Sequence, residues 1–193
     1  MKDASSDISH PDTKGFLVSV RYAGFLVMER MLLCCIHPKL RAALLRLFGA
    51  KVGSNVRVYE ARFINLQSGF RNLHIDEDVH IGFGCLFDLA APIRIGKRST
   101  ISPRVTIMSH SDAGAAHHSA LALRYKAEVR AVTIGADCWI GTSAVILSGV
   151  TIADLCVVAA GSVVTNDIPS GNVAAGVPAT IKCAIKPNLE DGV

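Results

Sequence analysis

The sequence predicts a mainly β fold, a parallel β-helix whose short strands wind into stacked triangular coils, and three observations predict it. An aliphatic residue recurs every six positions in the C-terminal half, at Ile134, Ile140, Ile146, Ile152, Val158 and Val164. The same period runs through the earlier half, at Val52, Val58 and Ile64, at Ile75, Ile81 and Phe87, and at Ile95, Ile101 and Ile107. A helix would place residues six apart on nearly opposite faces, whereas strands joined by tight turns return the chain to one inward direction. The period therefore indicates a solenoid in which each coil buries its neighbour.

Small or β-branched residues fill the fifth position of most units, where they are expected at the coil corners, although Arg62 departs from this pattern. The period slips between Ile64 and Ile75, between Phe87 and Ile95, and across 108 to 133. Loops are expected to leave the coil at these slips, and loops of repeat proteins commonly carry function.

The chain is expected to divide into a polar N-terminus (1–15), a helical cap (16–50), the β-helix (51–185) with a protruding loop (111–131), and a C-terminal tail (186–193). Charged residues interrupt the apolar stretch 16–48, so it contains no run of about 18 apolar residues able to span a bilayer. Two helices separated near His37-Pro38 are expected, the second ending at Gly49. Its buried stripe is predicted to be Leu40, Leu44, Leu47 and Phe48, with Arg41 and Arg46 away from it. A cap over the open end of the coil and a helix lying on a membrane surface both fit this pattern.

Composition excludes several function classes. The 193 residues are half apolar with a net charge of +4, and no Lys/Arg run of the kind that binds nucleic acid occurs. No CxxC motif links the six cysteines, and Cys85, Cys138 and Cys156 fall at corner positions where small hydrophobic residues are wanted. The polar start lacks a signal-peptide core. A reducing cytoplasm is the expected compartment.

Three blocks carry a resemblance to a known family: VTIGADCWIGTSAVILSGVTI (132–152), VVAAGSVVTNDIPSGNVAAGVPA (157–179) and TIMSHSD (106–112). Over about residues 39 to 186 the chain resembles the hexapeptide-repeat acyltransferases, and most closely the O-acetyltransferase branch of galactoside, maltose and surface-polysaccharide (O-antigen and colanic-acid type) acetyltransferases. The resemblance implies a left-handed β-helix, an exception to the usual right-handed crossover.

The resemblance also implies a mechanism. His110 matches the histidine that acts as general base on the acceptor, with the acyl group passing directly from acetyl-CoA in a ternary complex. Asp88 matches an Asn or Asp that faces this histidine across the subunit boundary of a homotrimer. A carboxylate at that position is expected either to accept a hydrogen bond from a sugar hydroxyl or to orient the imidazole.

By the same resemblance, coenzyme A is expected to lie along Trp139, Thr142, Ala160, Gly161 and Thr165, and an amide of the turn Gly141-Thr142-Ser143 is expected to face the thioester carbonyl. Many relatives carry an Arg where this chain has Thr180. Lys182 or Lys186 is expected to meet the cofactor phosphates as a point charge instead. No metal is expected.

The long loop is interpreted either as an acceptor-binding lid, with His117, Arg124, Tyr125 and Lys126 as contacts, or as a segment that only joins subunits. The expected function is acetyl-CoA-dependent O-acetylation of a sugar or polysaccharide precursor in the cytoplasm, with peripheral membrane contact through 16–48 as an open alternative. Three other interpretations remain open: an N-acetyltransferase of an amino sugar or nucleotide-sugar, a non-catalytic scaffold, and a zinc enzyme like the γ-carbonic anhydrases using His80, His110, His117 and His118. The spacing of these histidines does not reproduce the zinc motif.

Overall fold

A computed structural model of the chain describes residues 16–114, 116 and 119–185. The polar N-terminus 1–15, the tail 186–193 and, with them, His117 and Lys186 lie outside the described residues.

Three sheets form the sides of the solenoid, and their strands are mostly two to four residues long. Sheet A contains five parallel strands: β1 (Lys51–Val52), β4 (Leu73–Ile75), β7 (Ile93–Ile95), β12 (Val132–Ile134) and β15 (Thr151–Ile152). Sheet B contains β2 (Arg57–Val58), β5 (His80–Ile81), β8 (Thr100–Ile101), β13 (Trp139–Ile140) and β16 (Val157–Val158), followed by the hairpin strands β18 (Asn172–Gly176) and β19 (Ala179–Ala184). Sheet C contains β3 (Ala61–Ile64), β6 (Cys85–Asp88), β9 (Thr106–Ile107), β14 (Val145–Ile146) and β17 (Val163–Val164). The predicted β-solenoid is confirmed.

The inward ladder of the C-terminal half is the predicted one, because all six aliphatic residues from Ile134 to Val164 are buried. One prediction for the first coil is wrong. Phe63, not Ile64, pairs with Phe87, their rings stacked with centroids 5.6 Å apart, while Ile64 pairs with Asp88. The first coil thus reaches sheet C one residue early. The slip turns Arg62 outward, which explains why it departs from the corner pattern.

Tight corners join the sheets. The corner between sheets A and B places one residue of each coil in the left-handed backbone region: Asn55, Asp78, Arg98, Asp137 and Leu155. At the corner between sheets B and C, successive coils approach so closely that a Cβ on Gly141 would lie 2.5 Å from the backbone nitrogen of Ala160. Glycine at this position is therefore a packing requirement.

Inserted segments occupy two of the predicted slips. A 3₁₀ segment, Leu66–Asn72, fills the first. The long loop fills the last and is closed at its base by a short antiparallel pair, β10 (His110–Ser111) and β11 (Glu128–Val129).

Two helices precede the coils: α1 (Phe16–Cys34) and α2 (Pro38–Leu47). The predicted stripe of α2 is wrong, because Leu40 and Leu47 are exposed while Arg41, Ala42 and Leu45 are buried. The Arg41 guanidinium donates to the carbonyls of Leu32 (2.8 Å) and Cys35 near the end of α1, and to that of Val58 (2.9 Å) in the first coil. It satisfies carbonyls that the helix end leaves without partners, which a leucine could not do.

Helix α1 is held on the outside of the first coil by polar contacts. The buried Glu29 carboxylate accepts a hydrogen bond from Arg62 of β3 at 2.7 Å, and Arg21 donates to the Gln67 carbonyl at 2.8 Å. Neither α1 nor α2 is long and apolar enough to cross a membrane, and the same holds for every other helix in the described residues.

We expect a thiol reagent to modify Cys34 and Cys183 rapidly in the native protein, because both are exposed, and to spare Cys35, Cys85, Cys138 and Cys156, which are buried. Burial also raises the pKa of the Cys85 and Cys138 thiols to about 11. The reactive thiolate is therefore scarce at about pH 8. Mass spectrometry of the labelled protein identifies the modified residues. Rapid labelling of Cys85 or Cys138 without denaturant would contradict this packing.

Candidate active site

His110 begins the long loop at the point where sheet C ends. It lies three residues after the end of β9, and its pairing with Val129 in β11 ties the two ends of the loop together. The Arg130 amide also donates to the Ser109 carbonyl at 2.9 Å. The His110 side chain is 22% exposed, so the ring is fixed by its surroundings yet reachable from solvent.

Asp88 lies one coil below His110, at the end of β6, and its side chain is fully buried. Oδ2 accepts hydrogen bonds from the amides of Ser109 (3.1 Å) and His110 (3.0 Å) and contacts His110 Nδ1 closely. Oδ1 accepts from Asn65 Nδ2 (2.8 Å) and the Ala90 amide (3.2 Å). A buried carboxylate is tolerated when it is paired in this way.

These contacts determine the tautomer of His110. A proton must lie between Oδ2 and Nδ1, because two facing lone pairs would repel each other. The carboxylate already accepts four other hydrogen bonds, as expected for an ionised group, so the proton belongs to Nδ1. Nε2 then carries the lone pair, and the imidazole is prepared to accept a proton there.

The predicted placement of Asp88 across a subunit boundary is wrong for this chain, because Asp88 contacts the histidine of its own chain. Its full burial also removes one of its two expected roles, since an acceptor hydroxyl cannot reach the carboxylate. The remaining role is to orient the imidazole.

Asn65 belongs to the same cluster and was missed by the sequence analysis. It follows β3 with φ 56° and ψ 50°, in the left-handed region where Asn is enriched among non-glycine residues. Its Nδ2 lies 3.1 Å from His110 Nδ1 as well as 2.8 Å from Asp88 Oδ1. The available signal was an Asn at the first slip of the period, 23 residues before Asp88.

Most of the residues predicted to bind coenzyme A lie on sheet B or at the corner between sheets B and C, away from His110 of the same chain. Trp139 stands on the outer face of sheet B, 56% exposed, with its indole N–H donating to Ser102 Oγ at 3.0 Å. Thr142 and Gly161 occupy successive coils at the corner between sheets B and C, where the Gly161 amide donates to the Thr142 carbonyl at 2.8 Å. Ala160, beside Gly161, is exposed.

Two further predicted residues lie near the C-terminal end. Thr165 is exposed directly after β17, at the end of sheet C where His110 also lies, two coils away. Lys182 is exposed on β19 and donates to Thr180 Oγ1 at 2.9 Å. Lys182 and Thr180 are therefore neighbours on one strand.

Within one chain, the turn Gly141-Thr142-Ser143 does not meet His110. The turn precedes β14 at one end of sheet C, whereas His110 follows β9 at the other end. About five residues of extended chain separate the two ends, roughly 15 Å. Two of the three amides in the turn are also engaged, Gly141 with the Val158 carbonyl and Ser143 with that of Pro103. Thr142 is the residue of the turn whose amide has no hydrogen-bond acceptor among the described residues.

The predicted acceptor contacts Arg124, Tyr125 and Lys126 lie in the long loop and are exposed, as are Leu121 and Leu123. A turn orders this part of the loop, with the Tyr125 amide donating to the Leu121 carbonyl at 2.7 Å. His117, the remaining predicted contact, lies outside the described residues.

No three His, Cys, Asp or Glu side chains converge as a metal site within the described part of the chain. His80 lies on sheet B, with its ring 5.2 Å from that of Tyr59. Burial, and to a smaller extent the Arg57 charge, lower the pKa of His80. A groove of about 650 Å³ runs along sheet A beside Lys51, His74 and Glu77, away from His110. His74 in this groove has Nε2 3.1 Å from the Arg71 carbonyl and is not paired with a carboxylate as His110 is, within the described residues.

Comparison with known proteins identifies the family. The family model for bacterial transferase hexapeptide (six repeats) matches residues 131–166. A galactoside O-acetyltransferase of Escherichia coli strain K12 is 36% identical over 150 residues, covering 75% of this chain and 70% of that protein. The chain belongs to the hexapeptide-repeat acetyltransferases. The chain is also 32% identical over 141 residues to a second Escherichia coli K12 protein, provisionally named a colanic acid biosynthesis acetyltransferase. The match covers 73% of this chain and 72% of that protein.

A solved structure gives the same result. The galactoside acetyltransferase in complex with coenzyme A matches this acetyltransferase with a TM-score of 0.76 at 28% identity, covering 93% of this chain and 90% of that chain. The predicted family and enzyme class, an acyltransferase, are therefore confirmed.

Proposed function

We propose that this acetyltransferase transfers an acetyl group from acetyl-CoA to a hydroxyl group of a sugar or polysaccharide precursor, with His110 as the general base. The observation that carries the proposal is the Asp88–His110 pair, which leaves Nε2 with a lone pair at the exposed edge of the ring. A sugar hydroxyl is a weak nucleophile near neutral pH, so its attack on an acyl carbon needs a base at this position.

Each group in the pair has a defined part in the reaction. His110 Nε2 takes the hydroxyl proton as the oxygen–acyl bond forms and returns it to the departing sulfur as the carbon–sulfur bond breaks. Asp88 stabilises the imidazolium that exists between these two transfers and keeps the ring in place. Transfer is direct, because Ser109 is buried with its hydroxyl bonded to the Asp88 carbonyl, and Cys85, the cysteine nearest in sequence to Asp88, is buried and protonated.

The residues on the outer face of sheet B and its corner fit coenzyme A. Bound acetyl-CoA would supply the acyl thioester. Trp139 offers an exposed indole for the pantetheine arm, and the backbone at Gly161 is accessible, because a Cβ there would meet no atom within 4 Å. Among the described residues of the β18–β19 hairpin, Lys182 is the cation that could meet a phosphate of coenzyme A. The Thr142 amide is the donor assigned to the developing oxyanion.

His110 and the Thr142 turn lie at different corners of one chain, so the proposed site needs two copies. We infer a homotrimer in which His110 of one copy lies beside the turn of the next, as a closed cyclic assembly allows. Sedimentation equilibrium is expected to give a mass close to three times the 20.5 kDa of the chain. Full activity in a monomer would contradict this arrangement.

The acceptor is proposed to be a hydroxyl because the relatives with the longest matches include a galactoside O-acetyltransferase. Arg124 and Tyr125 in the loop are the proposed acceptor contacts; both are exposed. An amino sugar is the second candidate acceptor, since an amine attacks more readily than a hydroxyl and needs the same base to remove its proton.

We expect His110→Ala to lower turnover by about 10²- to 10⁴-fold, the usual loss for a general base. The free energy of unfolding should change little, because the ring is partly exposed and its main partner, Asp88, keeps four other hydrogen bonds. The measurement is free-thiol release from acetyl-CoA against a panel of sugars, nucleotide-sugars and amines, beside a binding titration of coenzyme A.

Lys97→Ala is the control for surface substitutions, since Lys97 is exposed at the corner between sheets A and B of the same coil, away from both His110 and the turn Gly141-Thr142-Ser143. The proposal is supported if the wild type and the control release thiol from acetyl-CoA only when an acceptor is present, and His110→Ala does not. Nearly full activity in His110→Ala removes the histidine from the mechanism. Failure to bind coenzyme A favours a non-catalytic scaffold, and stoichiometric zinc in the purified protein would favour metal chemistry.

Trp139→Ala is expected to raise the Michaelis constant for acetyl-CoA about tenfold while changing kcat by less, because the exposed indole adds binding rather than chemistry. Initial-rate measurements at varied acetyl-CoA separate the two constants. A larger fall in kcat than rise in the Michaelis constant would place the indole at the reaction centre instead.

We also propose that α1 and the turn after it contact the surface of an anionic membrane at the cytoplasmic face, where a lipid-linked sugar precursor would be presented. Val20, Val27 and Met31 are exposed along one face of α1, Ile36 is almost fully exposed after it, and Arg30 and Lys39 flank them. Glu29 is the one acidic residue between 16 and 50, and it is buried. Apolar side chains bordered by cations match the chemistry of such a surface.

Cosedimentation with phosphatidylglycerol vesicles tests this contact, with phosphatidylcholine vesicles as the neutral comparison. Val27→Glu is expected to weaken binding about tenfold, the loss of roughly one buried apolar side chain. Equal and weak binding to both kinds of vesicle would leave the helices with the role of a cap alone.

A further inference from the structure

The Asp88 carboxylate has a different set of partners on each oxygen. Oδ2 faces His110 and the two amides next to it, whereas Oδ1 is held by the Ala90 amide at 3.2 Å and by the Asn65 side chain at 2.8 Å. The Asn65 bond is the shorter one on Oδ1. It is also the only hydrogen bond from another side chain that Asp88 receives besides that of His110, within the described residues.

This division matters because the carboxylate can rotate about its last bond. Rotation would take Oδ2 away from Nδ1 and release the ring. The contacts on Oδ1 oppose it together with the Ser109 and His110 amides on Oδ2. Asn65 reaches Oδ1 from the coil below, while His110 reaches Oδ2 from the coil above. The Asn65 side chain thus lies against both members of the pair, because its Nδ2 is also 3.1 Å from His110 Nδ1.

We propose that Asn65 is a positioning residue for the reaction: its side-chain amide fixes the rotation of Asp88, so that Oδ2 stays on His110 Nδ1 and Nε2 stays directed at the acceptor. The inference rests on the proposed role of His110 as general base. Asn65 itself touches no reacting atom and acts through Asp88.

The backbone at Asn65 explains why few other residues would serve there. The left-handed conformation, with φ 56°, disfavours most side chains but is accessible to Asn and Gly. An Asp would fit the backbone, but it would place a second carboxylate against the buried one. Asn is the residue that combines this backbone with an N–H donor of the right length.

Asn65→Gly is the test, because it removes the amide and keeps a backbone that glycine adopts easily. We expect kcat to fall about 10- to 100-fold with the Michaelis constant for acetyl-CoA unchanged, since the loss concerns orientation of the base and not cofactor binding. Asn65→Asp is a second variant and is expected to lose at least as much activity.

The chain supplies a matched control. Asn55 also has a left-handed backbone, with φ 52°, and also donates through Nδ2 to the Oδ1 of an aspartate 23 residues later, Asp78, at 2.7 Å. This pair lies at the surface, at the corner between sheets A and B. Asn55→Gly therefore removes an equivalent hydrogen bond without touching the active site, and its kcat should equal that of the wild type.

A second readout does not depend on turnover. The His110 Nδ1 proton, identified by its loss in His110→Ala, should appear downfield in the proton NMR spectrum and exchange slowly with water. Asn65→Gly should speed its exchange or broaden it, while Asn55→Gly should not. An unchanged Nδ1 proton in Asn65→Gly overturns the inference. So does a kcat equal to that of Asn55→Gly in an active wild type.

The two readouts separate failure of the inference from failure of the proposed function. If the wild type transfers no acetyl group to any acceptor but the proton responds to Asn65→Gly, the positioning of the ring stands and the catalytic role of His110 falls. If the wild type is active and only the proton fails to respond, the function stands and the role of Asn65 falls.

Discussion

The structure depends on the hydrogen-bonded register between successive coils. Parallel pairing places equivalent residues of neighbouring coils one above another, so Phe63, Phe87 and Ile107 form a column inside sheet C. Just past the end of that column lie Asn65, Asp88 and Ser109-His110, which the Asp88 carboxylate joins by hydrogen bonds between coils. The active-site cluster is thus a polar continuation of the core. Its geometry is as rigid as the coils that carry it, which is what orientation of a base requires.

At the open end of the solenoid, the N-terminal helices are also joined to the coils by hydrogen-bonded polar side chains. Arg41 is buried, and its guanidinium donates to three carbonyls, two at the end of α1 and one in the first coil. Glu29, which is buried, and Arg62, whose side chain is about half exposed, join α1 to sheet C through a second polar contact. Because these charges are satisfied inward, the outer face of α1 is left apolar with basic flanks. The packing of the cap and the proposed contact with a membrane surface therefore follow from one arrangement of charges.

The sequence alone predicted the parts of the molecule that repeat. Six-residue spacing was enough for the ladder from Ile134 to Val164, for the solenoid and for the place of the long loop. The spacing did not predict features that depend on a single residue or a single contact. One is the position of Phe63, one residue earlier in sheet C than the period places it. The other is the burial of Arg41, whose carbonyl partners belong to other elements. His110 and Asp88 were identified through family resemblance, but not their pairing within one chain. Asn65 was missed because an Asn at a slip in the period resembles any turn residue until its distance to Asp88 is known.

The central claim is that Asp88 holds His110 as the Nδ1–H tautomer and leaves Nε2 free as the base. The most direct measurement is a long-range ¹H–¹⁵N correlation spectrum of protein labelled at histidine, with His110 assigned by its loss in His110→Ala. We expect a protonated Nδ1 and an unprotonated Nε2 for the neutral ring. A neutral ring protonated at Nε2 would contradict it, because such a ring has no lone pair to accept the proton of an acceptor hydroxyl.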